Sequence, residues 1–232
     1  MKKNTVGLFL VGLSLLSLTG CAGRLVKLDP SYLSSSKKVA IIWTQARPHP
    51  GYVREGQGLL YAVVSEATKA PWVKNIETFD LTPVVAGEFN RLWKPYLDKK
   101  SISYTFNKRV VNLDDYKLER AADNGFSANA QQIPGVGQAD YLLVFQILKF
   151  DVHHSHVLLG MIATAAPAVK FNYRLLVVRV SDNQILGEGF GDKSVSMKEG
   201  WEKGPDYSGI YEAMVTAFSE GMTDIYTKVI GE

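Results

Sequence analysis

Three stretches in the second half of the chain carry strand patterns, and they constrain the fold more than any other feature. Apolar and polar residues alternate through much of 139–156, 169–181 and 185–196. Successive side chains of a strand point to opposite faces, so this alternation is typical of strands with one buried face. A Ser-Asp-Asn-Gln turn signal at 181–184 predicts that the last two strands pair antiparallel. Three glycines in the last strand indicate a β-bulge or a strong twist.

Two further strands are expected in the first half. The β-branched run at 37–43 is typical of a buried strand, and 101–111 alternates with a period of two. A hairpin of 58–65 with 72–78 is a further expectation within a segment rich in Gly and Pro.

Apolar stripes at helical spacing predict helices on this sheet. Thr82 followed by Pro83 is a typical helix start, and apolar residues then recur three and four apart. A second helix is expected over 113–132. A last one carries a stripe from Ile210 to Val229. The sequence therefore predicts an α/β (α+β) domain, with helices packed on a mixed sheet of about four to five strands.

The first 20 residues are typical of an export signal. Lys2 and Lys3 precede an uncharged run, 6–18, that is too short to span a bilayer stably. The run ends in Leu-Thr-Gly-Cys at 18–21, which resembles the bacterial lipobox, and Cys21 is the only cysteine of the chain. The alternatives are an ordinary signal peptide with a chance cysteine, or an uncleaved anchor helix.

The lipobox resemblance implies cleavage before Cys21 and attachment of acyl chains to this residue. Several acyl chains together hold a protein on a membrane essentially permanently. Ala22, rather than Asp, follows the cysteine, and this implies sorting to the outer membrane with the domain facing the periplasm. The predicted organisation is a signal peptide at 1–20, a lipidated tether at 21–36 and a periplasmic domain at 37–232. An ordered strand lying on the domain is the alternative for the tether.

Charge and motifs restrict the function classes. Loss of Lys2 and Lys3 with the signal lowers the formal charge from +3 to +1, which gives no basis for a nucleic-acid partner. With Cys21 lipidated, no disulfide framework is available. Neither a Gly-x-Ser-x-Gly elbow, a His-Glu-x-x-His helix nor a phosphate-binding loop occurs. We therefore expect a protein that is not an enzyme and has no cofactor apart from the covalent lipid.

Two segments of the domain resemble a known family of lipoproteins. QADYLLV at 138–144 and RLLVVRVSDNQIL at 174–186 resemble paired strands of envelope lipoproteins whose domain is similar to the amino-terminal domain of TolB. This group includes the curli secretion channel subunit, the Pel polysaccharide export lipoprotein and the lipoprotein activator of a bifunctional penicillin-binding protein. Asn183 and Gln184 depart from the Thr-Gly-Glu that is usual in the group.

One histidine-rich strand is a candidate ligand site. Asp151 to His156 reads Asp-Val-His-His-Ser-His, and residues two apart share a face of a strand. His154 and His156 would therefore point together, with Asp151 and His153 on the other face. Two imidazoles can hold a divalent metal ion if a third ligand arrives from a neighbouring strand. The alternative is a polar strand end without a ligand.

The uncharged stretch at 157–169 is a candidate interaction surface. Leu158, Leu159, Met161 and Ile162 would form an apolar patch larger than monomers usually expose. Three alternatives stay open, namely an apolar loop over the sheet edge, a subunit contact or a membrane contact. Both faces of the stretch are apolar, which argues against a pore-lining strand.

Together these features predict an outer-membrane-anchored periplasmic lipoprotein that acts as a scaffold, activator or assembly factor for an envelope complex. Its partners would be the membrane, through the lipid, and envelope proteins or further copies of itself. One alternative is a ring-forming subunit of an envelope export apparatus. A second is a small-ligand or metal binder that uses the histidine strand.

Overall fold

A computed structural model describes residues 33, 37–45, 51–55, 73–119, 125–157, 162–163, 166–201 and 207–230. The fold is α+β, with helices on a mixed sheet, so the predicted fold class is confirmed. Five strands follow the order β3-β1-β4-β6-β7, and two short strands, β2 and β5, also pair with β4. The strands are β1 (Lys38–Gln45), β2 (Gly51–Glu55), β3 (Ser103–Val110), β4 (Tyr141–Val157), β5 (Ile162–Ala163), β6 (Ala168–Arg179) and β7 (Gln184–Ser196).

The sheet combines a parallel half with an antiparallel half. β1 lies between β3 and β4 and is parallel to both, with Lys38 opposite Ser103 and Val39 opposite Tyr141. β4, β6 and β7 pair antiparallel, as predicted for the last two strands from the turn signal. A register shift in the β6–β7 pair, next to Val178, confirms the predicted bulge.

One face of the sheet is covered by helices. α2 (Thr82–Glu88), a π-helical turn (Phe89–Trp93) and α3 (Lys94–Lys99) follow one another without a break, and α4 (Ser208–Ile230) packs beside them. The predicted first and last helices are therefore confirmed. Their apolar stripes bury the larger core against odd-numbered residues of β1 and β6. No helix in the described part of the chain has both the length and the apolar character needed to cross a membrane.

The opposite face is covered by irregular chain, where the predicted helix over 113–132 is wrong. Only two 3₁₀ turns form there, Leu113–Tyr116 and Ala130–Gln132, and residues 120–124 lie outside the described residues. The side chains of Asn112 and Asn129 accept hydrogen bonds from backbone N–H groups two residues on, which favours turns over a continuous helix. This segment buries a second, smaller core.

The predicted hairpin of 58–65 with 72–78 is also wrong where the structure describes it. Residues 58–65 lie outside the described residues, but α1 (Val73–Glu77) is a helix. Val73 and Ile76 are both buried, and their spacing of three residues fits a helix face rather than a strand face.

Close packing of α4 on the sheet depends on small residues. A side-chain carbon at Gly221 would lie only 2.5 Å from Cδ1 of Phe171, and one at Gly191 would overlap the ring of Tyr173. Gly191 of β7 therefore makes room for the ring of Tyr173, as Gly221 of α4 does for the ring of Phe171.

Candidate functional site

β4 joins the two ends of the sheet. It is 17 residues long, whereas β1 pairs with it only as far as Ile147. Beyond that point β4 lies between β2 and β6. At about 3.3 Å per residue the strand measures roughly 50 Å. We call the end at Lys38 and Tyr141 the base of the sheet, and the opposite end of β4 the tip.

The chain enters the sheet at the base. Leu33 is 4% exposed and belongs to the larger core, although it lies within the predicted tether. Lys37 is four positions after Leu33, so the two Cα atoms are at most about 14 Å apart. Leu33 is thus the first described residue, and it lies within this distance of the residue that precedes β1.

At the tip, β4 turns back into β5 as a β-hairpin. His156 pairs with Ala163 and Val157 with Ile162. Of the predicted interaction residues, Leu158, Leu159 and Met161 lie outside the described residues, as does the predicted lipidation site Cys21. The backbone of Ile162 is placed in the hairpin. The apolar stretch thus begins in a strand pair at the point of the sheet farthest from the base.

The strand below the hairpin is firmly packed. Asp151 is 2% exposed, with Nζ of Lys149 3.8 Å from its carboxylate, and His153 is also buried. On the other side of the strand, the ring of His154 meets Trp201 edge to face at 6.0 Å. Trp201 could not be found by local pattern, because its partner is distant in sequence. Both faces of β4 are therefore packed just before the hairpin begins.

The two predicted metal ligands, His154 and His156, both lie on β4. The even-numbered residues Phe150 and Val152 belong to the larger core, which places His154 on the helical side of β4; the side chain of His156 lies outside the described residues. Within the described residues, no group of three or more His, Cys, Asp or Glu side chains is arranged to hold a metal ion.

Polar contacts that the sequence patterns did not indicate join the helices to each other. Ser219 donates to Oε1 of Glu88 at 2.6 Å, and Nη2 of Arg91 donates to Thr223 at 2.8 Å. The Nε of Arg91 also donates to Glu88 at 2.9 Å. The residues lie on α2, the π-helical turn and α4, so they hold the two helical segments side by side.

A second polar group ties α4 to the sheet. Tyr173 of β6 donates a hydrogen bond to Asp224 of α4, and Lys228 lies 2.6 Å from the same carboxylate. Burial, with the hydrogen bond to Asp224, raises the pKa of Tyr173. Burial opposes ionisation of Asp224, but hydrogen bonds from Lys228 and Tyr173 and the charge of Lys193 outweigh it and lower the pKa of this carboxyl group. The charged groups therefore serve to fasten the helix.

No protein-family model and no curated protein matches the chain. Among solved structures, a DUF330 protein from Xanthomonas campestris is 10% identical over 87% of each chain, with a TM-score of 0.42. The PelC dodecamer from Paraburkholderia phytofirmans is 9% identical, covering 80% of this chain and 88% of that one, with a TM-score of 0.29. Lipoprotein GNA1162 from Neisseria meningitidis is 11% identical, covering 79% and 99%, with a TM-score of 0.25. Similarities at this level carry no argument about function.

Proposed function

We propose that this protein is an outer-membrane-anchored periplasmic lipoprotein that acts as a non-enzymatic scaffold, activator or assembly factor. It would do so by presenting the β4–β5 hairpin to another envelope protein. One observation carries the proposal: β1 begins beside Tyr141 at the base of the sheet, and the apolar stretch begins in the β4–β5 pair at the tip, roughly 50 Å away along β4.

The length of the tether favours a protein partner over the anchoring membrane. A flexible chain of about 12 residues, from Cys21 to Leu33, has a root-mean-square length of about 20 Å. Its fully extended length is about 40 Å. An inverted domain, with the tip pointing straight at the anchoring membrane, would therefore need a tether stretched close to its limit. A relaxed tether leaves the hairpin facing the periplasm.

The anchor is tested at Cys21. Cys21→Ser should abolish signal cleavage and labelling by radioactive fatty acid, because the lipid is joined to the cysteine sulfur. A Cys21→Ser protein that still carried label and fractionated with the outer membrane would contradict the lipid anchor.

The hairpin is tested by charge substitution. A Leu159→Asp/Ile162→Lys variant should lose co-purification of cross-linked envelope partners, because charges oppose burial of this surface. A matched variant, Val110→Asp, changes an exposed apolar residue at the end of β3, opposite Trp43 of β1, and should keep the partners. Equal yields of partners from both variants and the wild type would contradict the proposal.

A second candidate is a ring-forming subunit of an export apparatus, which is favoured by apolar residues on the open part of the sheet face. Leu148 is 43% exposed and Phe190 is 40% exposed. Leu148 lies beside Gln146 of β4, and Phe190 pairs with Arg174 of β6. If this face joins subunits, the lipidated chain should sediment as an oligomer. Leu148→Asp/Phe190→Asp should then reduce it to a monomer.

A further inference from the structure

The base of the sheet collects basic residues from separate parts of the chain. Lys37 and Lys38 lead into β1, and Lys99 and Lys100 end α3 just before β3. The pairing of Lys38 with Ser103 brings the two pairs together. Arg179 ends β6 at the same level, opposite Tyr141. We call these five residues the basic base.

Within the described part of the chain, two of these cations pair with a carboxylate and three do not. Lys37 lies 3.9 Å from Asp140, and Arg179 lies 3.1 Å from Asp182. By contrast, Lys38, Lys99 and Lys100 are exposed and take part in none of the ion pairs among the described residues. The five cations of the base thus outnumber the two carboxylates, Asp140 and Asp182, that pair with them.

We propose that the basic base rests on the anionic phospholipid headgroups of the membrane that holds the anchor. The inference rests on the proposed lipidation of Cys21, since the lipid keeps this end of the domain near a membrane. Two observations identify the occupant. The excess positive charge of the base is complementary to an anionic surface. Leu33, whose Cα lies within about 14 Å of that of Lys37, is only 12 positions along the chain from Cys21.

Contact at the base fixes the orientation of the whole domain. β4 runs from the base to the tip as one strand, so headgroup contact at the base directs the β4–β5 hairpin away from the membrane. Electrostatic attraction of this kind decays within about 8 Å at physiological salt, so it acts only when the base lies close to the headgroups.

The test measures the distance of the base from the bilayer. The full lipidated chain receives one introduced cysteine, Gln138→Cys at the base or Ser194→Cys towards the tip. Each is labelled with a fluorophore, which is specific because Cys21 is consumed by the lipid. The protein is reconstituted into phosphatidylcholine vesicles with or without phosphatidylglycerol, and a fraction of headgroups carries a quencher.

Phosphatidylglycerol should increase quenching at the Gln138 position, high salt should reverse the increase, and the Ser194 position should stay unquenched. Lys38→Gln/Lys99→Gln/Lys100→Gln should abolish the increase. Each basic residue at an anionic surface changes the ratio of membrane-contacting to free orientations of the base by about fivefold, so three residues change this ratio roughly a hundredfold. A matched variant, Lys108→Gln/Arg109→Gln/Lys198→Gln, removes three exposed charges elsewhere and should behave as the wild type.

Equal quenching at Gln138 in both kinds of vesicle would overturn the inference, as would stronger quenching at Ser194. An unchanged response in the Lys38/Lys99/Lys100 variant would also overturn it. These outcomes are separate from failure of the proposed anchor, which mass spectrometry would reveal as a chain without acyl groups on Cys21. All six substitutions are at exposed positions, so an unaltered thermal melt serves as the folding control.

Discussion

The strongest stability prediction concerns Phe218, at the centre of α4. Phe218 is 1% exposed, and its ring lies 5.1 Å from that of Phe171 and 6.3 Å from that of Phe150. It therefore connects the last helix to both β4 and β6. Phe218→Ala removes this connection without adding charge or changing backbone geometry.

The magnitude follows from burial. A Phe side chain removes about 150–200 Å² from water, which is worth about 4–5 kcal/mol at 25 cal/mol per Å². Measured Phe→Ala substitutions in cores cost about 3–5 kcal/mol, including the cavity that is left. We expect a loss of about 4 kcal/mol in the free energy of unfolding. For a domain of this size, that corresponds to a decrease of about 8–16 °C in Tm.

Denaturant unfolding followed by tryptophan fluorescence measures the loss, with thermal unfolding as a second assay. Glu220→Ala is the matched control, because Glu220 is exposed on the same helix and should change stability by less than about 0.5 kcal/mol. A Phe218→Ala loss below about 1 kcal/mol would refute the reasoning, since α4 would then not be held by its apolar stripe.

Substitutions at three further positions test polar and steric contacts. The raised pKa of Tyr173 means that the folded chain keeps a phenolic proton that an unfolded tyrosine loses near pH 10. The contribution of Tyr173 to the free energy of unfolding is therefore fully present below pH 10 and is progressively lost above it. Tyr173→Phe should therefore flatten the alkaline decline in a stability–pH profile by up to about 1.4 kcal/mol per pH unit, and identical slopes would contradict this. Asn183 has a φ of 57°, and its side chain accepts a hydrogen bond from the backbone N–H of Ala130. Asn183→Ala loses the hydrogen bond and strains the backbone, so it should lower the free energy of unfolding by about 2–3 kcal/mol in thermal unfolding. Asn183→Gly tolerates this φ and loses only the hydrogen bond, so it should cost about 1 kcal/mol. Gly221→Ala should cost about 1–3 kcal/mol by overpacking against Phe171, and a neutral effect would show that α4 moves aside freely.

Local patterns predicted the elements whose periodicity reflects their burial. The strand at 37–43, the helix starting at Thr82 and the last helix all bury one regular face, and that face is visible in the spacing of apolar residues. β2 has no such signal, because five residues in a Gly- and Pro-rich segment pair with β4 only at the tip.

The predicted helix over 113–132 failed because distant contacts decide its conformation. The N–H of Phe126 donates to the carbonyl of Asn183, and Gly125 forms a bridge with Gln184. Asn183 and Gln184 are the two residues that depart from the resembled family pattern. Their role as the attachment point of a covering segment becomes visible only in three dimensions.

The two candidate surfaces, the apolar stretch and the basic base, also differ in whether the sequence alone reveals them. The apolar stretch at 157–169 could be proposed from the sequence as a candidate surface, because its unusual composition is contiguous. The basic base could not, since Lys38 and Lys99 are separated by about 60 residues and meet only through the parallel pairing of β1 with β3.

A bulge within β4 relates the tip to the base. Below it, Leu143, Phe145 and Ile147 face the helices. Above it, Phe150 and Val152 do. The change from odd to even numbers occurs at Leu148, which is the extra residue opposite β6. Side chains of a strand alternate between faces, so this single residue decides that His154 points towards Trp201 while Asp151 and His153 point to the opposite side. The orientation of the hairpin about the axis of β4 therefore depends on the bulge, whereas its distance from the base depends on the length of the strand.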